Sequence, residues 1–162
     1  MKTGLEIFYV RIMDDRVRYQ RKQANLSARG GSPDQLIQNL IQEKRRSASG
    51  KVEKKEFIIH STSWRYERPG KVILTYVAYS DELEFQKGES HGFPLKKLKT
   101  IAKNSNKPRT PAALEKKVVS HAIRHIAFLI KTDNQIDYKR ALKPETKEVF
   151  KNIWVSLAGK VF

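Results

Sequence analysis

The chain has 162 residues, with 33 Lys plus Arg against 17 Asp plus Glu, four His and no Cys, for a formal net charge of +16. That length fits one domain, residues 1–162, which buries roughly 70% of its unfolded surface without a covalent staple. The missing Cys excludes a disulfide framework, a zinc ribbon, an iron–sulfur site and a cysteine nucleophile. No apolar run approaches membrane-spanning length and the first residues are too polar for a signal peptide, so a cytoplasmic protein that avoids membranes is expected.

Leu5–Met13 is rich in Ile, Phe, Tyr and Val and partly alternates, which predicts a strand. Asp14-Asp15 marks a turn, and Val17–Tyr19 returns as a second strand. Ser27–Gly31 reads as a loop whose Gly pair can take positive φ. A helix over 33–47 follows, with Ser32 as N-cap, Pro33 at N1 and Gln35 completing a capping box. Leu36, Ile37, Leu40 and Ile41 make its buried stripe, and Lys44-Arg45-Arg46 suits the negative end of the dipole.

The clearest β signal is the pair 56–66 and 71–80 around Arg68-Pro69-Gly70, where Pro then Gly specifies a type II turn. On the first strand Ile58, His60, Thr62, Trp64 and Tyr66 are expected on one face, with Arg65 on the other. Val72–Tyr79 is almost continuously apolar, as in a central strand covered on both sides. Leu83–Phe85 is a candidate short strand, and 87–110 a basic irregular region holding a possible short helix at Leu95–Ile101. Thr110 then caps a helix over 111–131, with Leu114, Val118, Ala122, Ile126 and Leu129 facing the core. A last helix, 144–158, buries Val149, Phe150, Ile153, Trp154 and Leu157. The expected class is α+β: a mixed sheet with a central hairpin, packed against one helix and two C-terminal helices.

The order strand, strand, Gly-Gly loop, helix, strand, strand, helix resembles the Nudix fold, through Ala28-Arg29-Gly30-Gly31 before the helix and Glu56–Tyr79 after it. The resemblance covers roughly residues 5–80. It implies a phosphohydrolase whose glutamates hold Mg²⁺ on that helix, yet Gly31–Gly50 offers only Asp34 and Glu43 among Gln and basic residues. Hard anionic oxygens are what Mg²⁺ requires, so the fold carries over and the hydrolase activity does not. A divergent hydrolase would need Glu43, Glu82 and Glu84 to converge; Glu82 and Glu84 beside Asp81 read instead as a solvated acidic turn. No phosphate-cradling Gly-rich loop or nucleophile elbow is present.

His121 and His125 sit at i and i+4, a spacing a metal can bridge, but a third ligand would have to come from distant His60 or His91. They read instead as flanking the buried stripe, each with one nitrogen satisfied. No cofactor or metal is expected, and catalysis is not expected either.

Charge points to the partner. Residues 93–131 carry ten basic side chains and one acid, Glu115. Lys96, Lys97, Lys99, Lys103, Lys107 and Arg109 precede the long helix, where Lys117, Arg124 and Lys131 recur every seven residues. Loop and stripe are expected to form one positive face, joined by Arg29, for a polyanion. RNA or a nucleotide-containing ligand is favoured, with Trp64 and Tyr66 either packing inward or stacking on bases. The alternatives are the divergent Nudix-like phosphohydrolase, or an assembly or adaptor module that docks an acidic protein or forms a homodimer.

Overall fold

The computed structural model describes residues 2–25, 33–45, 57–104, 107–132 and 142–158. In chain order these form β1 (Lys2–Met13), β2 (Arg16–Asn25), α1 (Pro33–Arg45), β3 (Ile58–Arg68), β4 (Lys71–Tyr79), β5 (His91–Pro94), α2 (Leu98–Lys103), α3 (Pro111–Thr132) and α4 (Pro144–Ala158). A single 3₁₀ turn, Leu95–Lys97, joins β5 to α2. The class is α+β. Among the described residues no helix is long and apolar enough to cross a membrane.

The five strands make one mixed sheet in the order β3-β4-β1-β2-β5. β1 runs antiparallel to β2 and parallel to β4, while β3 and β5 are antiparallel edge strands. Two tight turns fix the hairpins. Asp14 and Asp15 both adopt positive φ (52° and 60°), the twist-matched form of a two-residue hairpin turn, and short Asp side chains tolerate it. Pro69-Gly70 closes the β3–β4 hairpin as expected, with Gly70 at φ 84°.

Both faces of the sheet are covered, so β1 is buried from Gly4 to Val10. Leu5, Ile7 and Tyr9 pack with Ile37 and Ile41 of α1, Ala78 and Leu83. The Tyr9 hydroxyl donates to the Leu40 carbonyl at 3.0 Å and so pins α1. Phe8 and Val10 point the other way, into a larger core with Tyr19, Val77, Tyr79, Ile123, Ile126 and Phe150 under α2, α3 and α4. Gly92 allows β5 its place at the edge, since a Cβ there would lie 2.7 Å from the Val17 carbonyl oxygen.

Several expectations need correction. Leu83–Phe85 is not a strand; Leu83 is a buried anchor against α1, and its carbonyl accepts from Arg11 at 2.7 Å. The stretch 87–110 is not wholly irregular: it holds β5, the 3₁₀ turn and α2, since Phe93, Leu98 and Ala102 are apolar enough to be drawn into the core. The described part of α1 ends at Arg45, and Ser32, Gly30-Gly31 and residues 46–47 lie outside the described residues. The α3 stripe centres on Val119, Ala122, Ile123, Ile126 and Ala127, about a third of a turn from the expected line.

Asp81 is the largest surprise in the acidic turn. Glu82 and Glu84 are exposed, but Asp81 is buried. Its carboxylate accepts from the Tyr79 hydroxyl (3.0 Å), the Lys143 backbone N–H (2.7 Å) and the Thr146 hydroxyl (3.0 Å). It therefore caps the start of α4 from 62 residues away.

Candidate anion-binding site

Helix α3 starts as its sequence dictates. Pro111 occupies the first turn and the Thr110 hydroxyl accepts the Ala113 N–H at 3.1 Å. Its apolar stripe then fixes the opposite edge. Lys117, His121, Arg124, His125 and Phe128 follow the helical repeat and project beside the β3 edge of the sheet. His60, on β3, shares the α3-facing side with Ile58. Its Nε2 lies 3.0 Å from His125 Nδ1.

These side chains line a cavity of about 710 Å³, floored by Leu114, Val118 and Ala122 and closed on one side by Phe128 and Trp154. Phe128 and Trp154 meet edge to face at 5.2 Å across the α3–α4 contact. Among the described residues no Asp or Glu lines this cavity, whereas Lys117 and Arg124 both do. A second cavity of about 580 Å³ shares Lys117 and adds Lys107, Arg109 and Lys116. No acid among the described residues lines it either. The two together make a continuous basic tract along α3 from Lys116 to Arg124.

The histidines report that field. Burial, and then the nearby charge on His125, hold His60 below its ordinary value of 6.5. Burial, then Lys117 and Arg124, depress His121 in the same direction. Above pH 6.5 the depressed residues are neutral, and a neutral His60 can accept the His125 Nδ1–H. An anion placed among Lys117, Arg124 and His121 would cancel the repulsion and favour the imidazolium.

The predicted basic residues are thus only partly brought together. Lys107, Arg109, Lys117 and Arg124 converge. Lys96 and Lys99 line a separate groove of about 760 Å³ with Asp14, Asp15 and Arg16, so their charge is locally diluted. Lys97, Lys103 and Lys131 are exposed and line none of the three. Arg29 lies outside the described residues.

Trp64 and Tyr66 do not join this face. A β-bulge between Ser61 and Ser63 reverses the alternation of β3. Ser61 pairs with Tyr76, but Ser63 pairs with Thr75, so Trp64 and Tyr66 turn to the α1 side and Arg65 to the α3 side. The two aromatics do not pack inward: Trp64 is 57% and Tyr66 60% exposed, stacked edge to face at 5.3 Å. Arg65 instead reaches Glu6, a carboxylate of β1 with no exposed surface.

Glu6 also accepts from Arg21 (2.7 Å) and from the Thr75 hydroxyl (2.7 Å). Burial alone would raise its pKa, but the hydrogen bonds from Thr75, Arg65 and Arg21 outweigh it and hold the carboxyl below its ordinary 4.5. Sequence reasoning passed over this group, although an acid inside the apolar run Leu5–Met13 was its signal. The His60–His125 contact was likewise missed, although the i,i+4 pair and the need for a distant third histidine pointed toward it. His91 lies at the opposite edge of the sheet, on β5 and stacked against Tyr19.

Among the described residues no three His, Asp or Glu side chains form a group able to hold a metal ion. Glu43, Glu82 and Glu84 therefore do not form the convergent carboxylate site that a divergent hydrolase would need. No protein-family model matches the chain, and no curated protein matches it at a significant level.

Proposed function

We propose that this protein binds RNA or another nucleotide-containing polyanion along the basic tract of α3, with a phosphate held between Lys117, His121 and Arg124. The carrying observation is the composition of the 710 Å³ cavity among the described residues: two permanent cations, three imidazoles, two aromatic rings and no carboxylate. Cations supply attraction to phosphate, and the Phe128–Trp154 wall offers a flat apolar surface to a sugar or base. The second cavity extends the tract toward Lys107 and Arg109 for a neighbouring phosphate. Lysine predominates there, so affinity comes from the backbone and sequence selectivity is weak.

The test is fluorescence anisotropy with a labelled single-stranded RNA across a salt series. Each phosphate neutralised contributes roughly 0.7 to the slope of log affinity against log salt. Two or three contacts are expected. Lys117→Ala with Arg124→Ala should lower both affinity and slope, and an affinity indifferent to salt or to that pair would overturn the proposal.

A further inference from the structure

We infer that this cavity, taken as the phosphate site proposed above, also cleaves RNA, with His125 as general base and His121 as general acid. The strand–helix crossing brings two kinds of imidazole to one phosphate position. His125 is held by His60 through the 3.0 Å Nδ1–Nε2 contact. Burial keeps His60 neutral, and among the described residues no acid lines the cavity beside it, so it accepts the Nδ1–H of His125 and fixes that tautomer. His125 Nε2 is then the free lone pair, and the bond to His60 supports the imidazolium that forms when it takes a proton. His121 sits four residues away, about 6 Å along the helix, a span that accommodates a phosphate. Burial, and then Lys117 and Arg124 of its own helix, disfavour its charged form, so the imidazolium that a bound phosphate restores is a ready proton donor. Among the described residues β3 contributes His60 to the cavity and α4 contributes Trp154, and neither element supplies a carboxylate there.

The step needs no co-reactant. His125 Nε2 takes the proton of the ribose 2′-hydroxyl as that oxygen bonds to phosphorus. The bond from phosphorus to the 5′-oxygen breaks, and His121 delivers its proton to the departing oxygen. Lys117 and Arg124 balance the charge that builds on the phosphorane oxygens. The products are a 2′,3′-cyclic phosphate and a 5′-hydroxyl end, and exchange with water returns one proton from His125 to His121.

The experiment incubates the full chain with a single-stranded RNA in EDTA at pH 5 to 8, beside the same oligonucleotide with a 2′-deoxy backbone, and follows both binding and products. Expected are cyclic-phosphate ends from RNA alone, a bell-shaped pH profile, and a loss of about 100-fold or more in His125→Ala and in His121→Ala. Affinity of both variants for the deoxy strand is measured alongside, so that loss of turnover is separated from loss of binding. His60→Gln, which retains an acceptor, should shift the limb set by the base while retaining more activity than His60→Ala. Binding of both strands without any cleavage would overturn this inference and leave the binding proposal standing. Failure to bind either strand would overturn both. Cleavage that survives His125→Ala unchanged would also overturn the inference, because the activity would then not belong to this cavity.

Discussion

Two polar clusters lie on the α3-facing side of the same sheet, and they are built to opposite rules. Around Glu6, one carboxylate meets two guanidiniums and a hydroxyl, and each oxygen is satisfied within the protein. Around His125, cations and imidazoles gather about an open space that no acid among the described residues lines. A closed network is a structural tie, whereas an unbalanced set of donors facing a cavity is a place for a ligand. Among the described residues the buried acids, Glu6 and Asp81, hold the fold, and none lines the two cavities along α3.

Breaking the closed cluster should cost most. Glu6→Ala strands Arg21 and Arg65 and should lower stability by about 2–3 kcal/mol. That is less than for a fully enclosed pair, because the two arginines keep 27% and 28% of their side-chain exposure. Urea denaturation measures the loss, and RNA affinity at constant folded fraction should not change. Asp81→Ala removes the partner of the Lys143 N–H and of the Tyr79 and Thr146 hydroxyls, for about 2 kcal/mol. Hydrogen exchange should accelerate first in α4.

The open cluster should respond in the reverse sense. Lys117→Ala with Arg124→Ala should weaken RNA binding tenfold or more while stability moves by less than about 1 kcal/mol. Titration distinguishes the two further. Glu6 is depressed in the folded state, so its contribution is complete above its ordinary pKa of 4.5 and is lost as pH falls below it. His60 is also depressed, so the unfolded chain takes up its proton first and stability declines as pH drops through 6.5. His60→Gln should shrink that earlier decline to the part His121 contributes and leave the acid one. RNA affinity should rise over the same interval, since a bound phosphate favours the protonated form of His121.

Much of the architecture was legible. The Pro69-Gly70 turn, the Thr110 cap and the apolar run of β4 each rest on local chemistry, and each appears where that chemistry puts it. The converging half of the basic tract was legible too, because i,i+4 and i,i+7 spacings on α3 survive folding unchanged. What could not be read depends on non-local geometry. The bulge in β3 carries no distinct mark among Ser61, Thr62 and Ser63, yet it decides which side Trp64, Arg65 and Tyr66 take. The histidine contact needs the β3–α3 crossing, 65 residues apart in sequence. Lys96 and Lys99 counted as part of one positive face until the hairpin turn brought Asp14 and Asp15 beside them.

The chain's four histidines provide the most direct measurement, because His91 stands at the far edge of the sheet as an internal reference. Imidazole NMR signals are followed while single-stranded RNA is added, and each histidine is then titrated with pH in the bound state. The expected result is that His60, His121 and His125 shift, that His121 titrates at higher pH when RNA is bound, and that His91 is unmoved. Equal shifts at all four rings, or a change at His91 alone, would contradict a ligand site beneath α3.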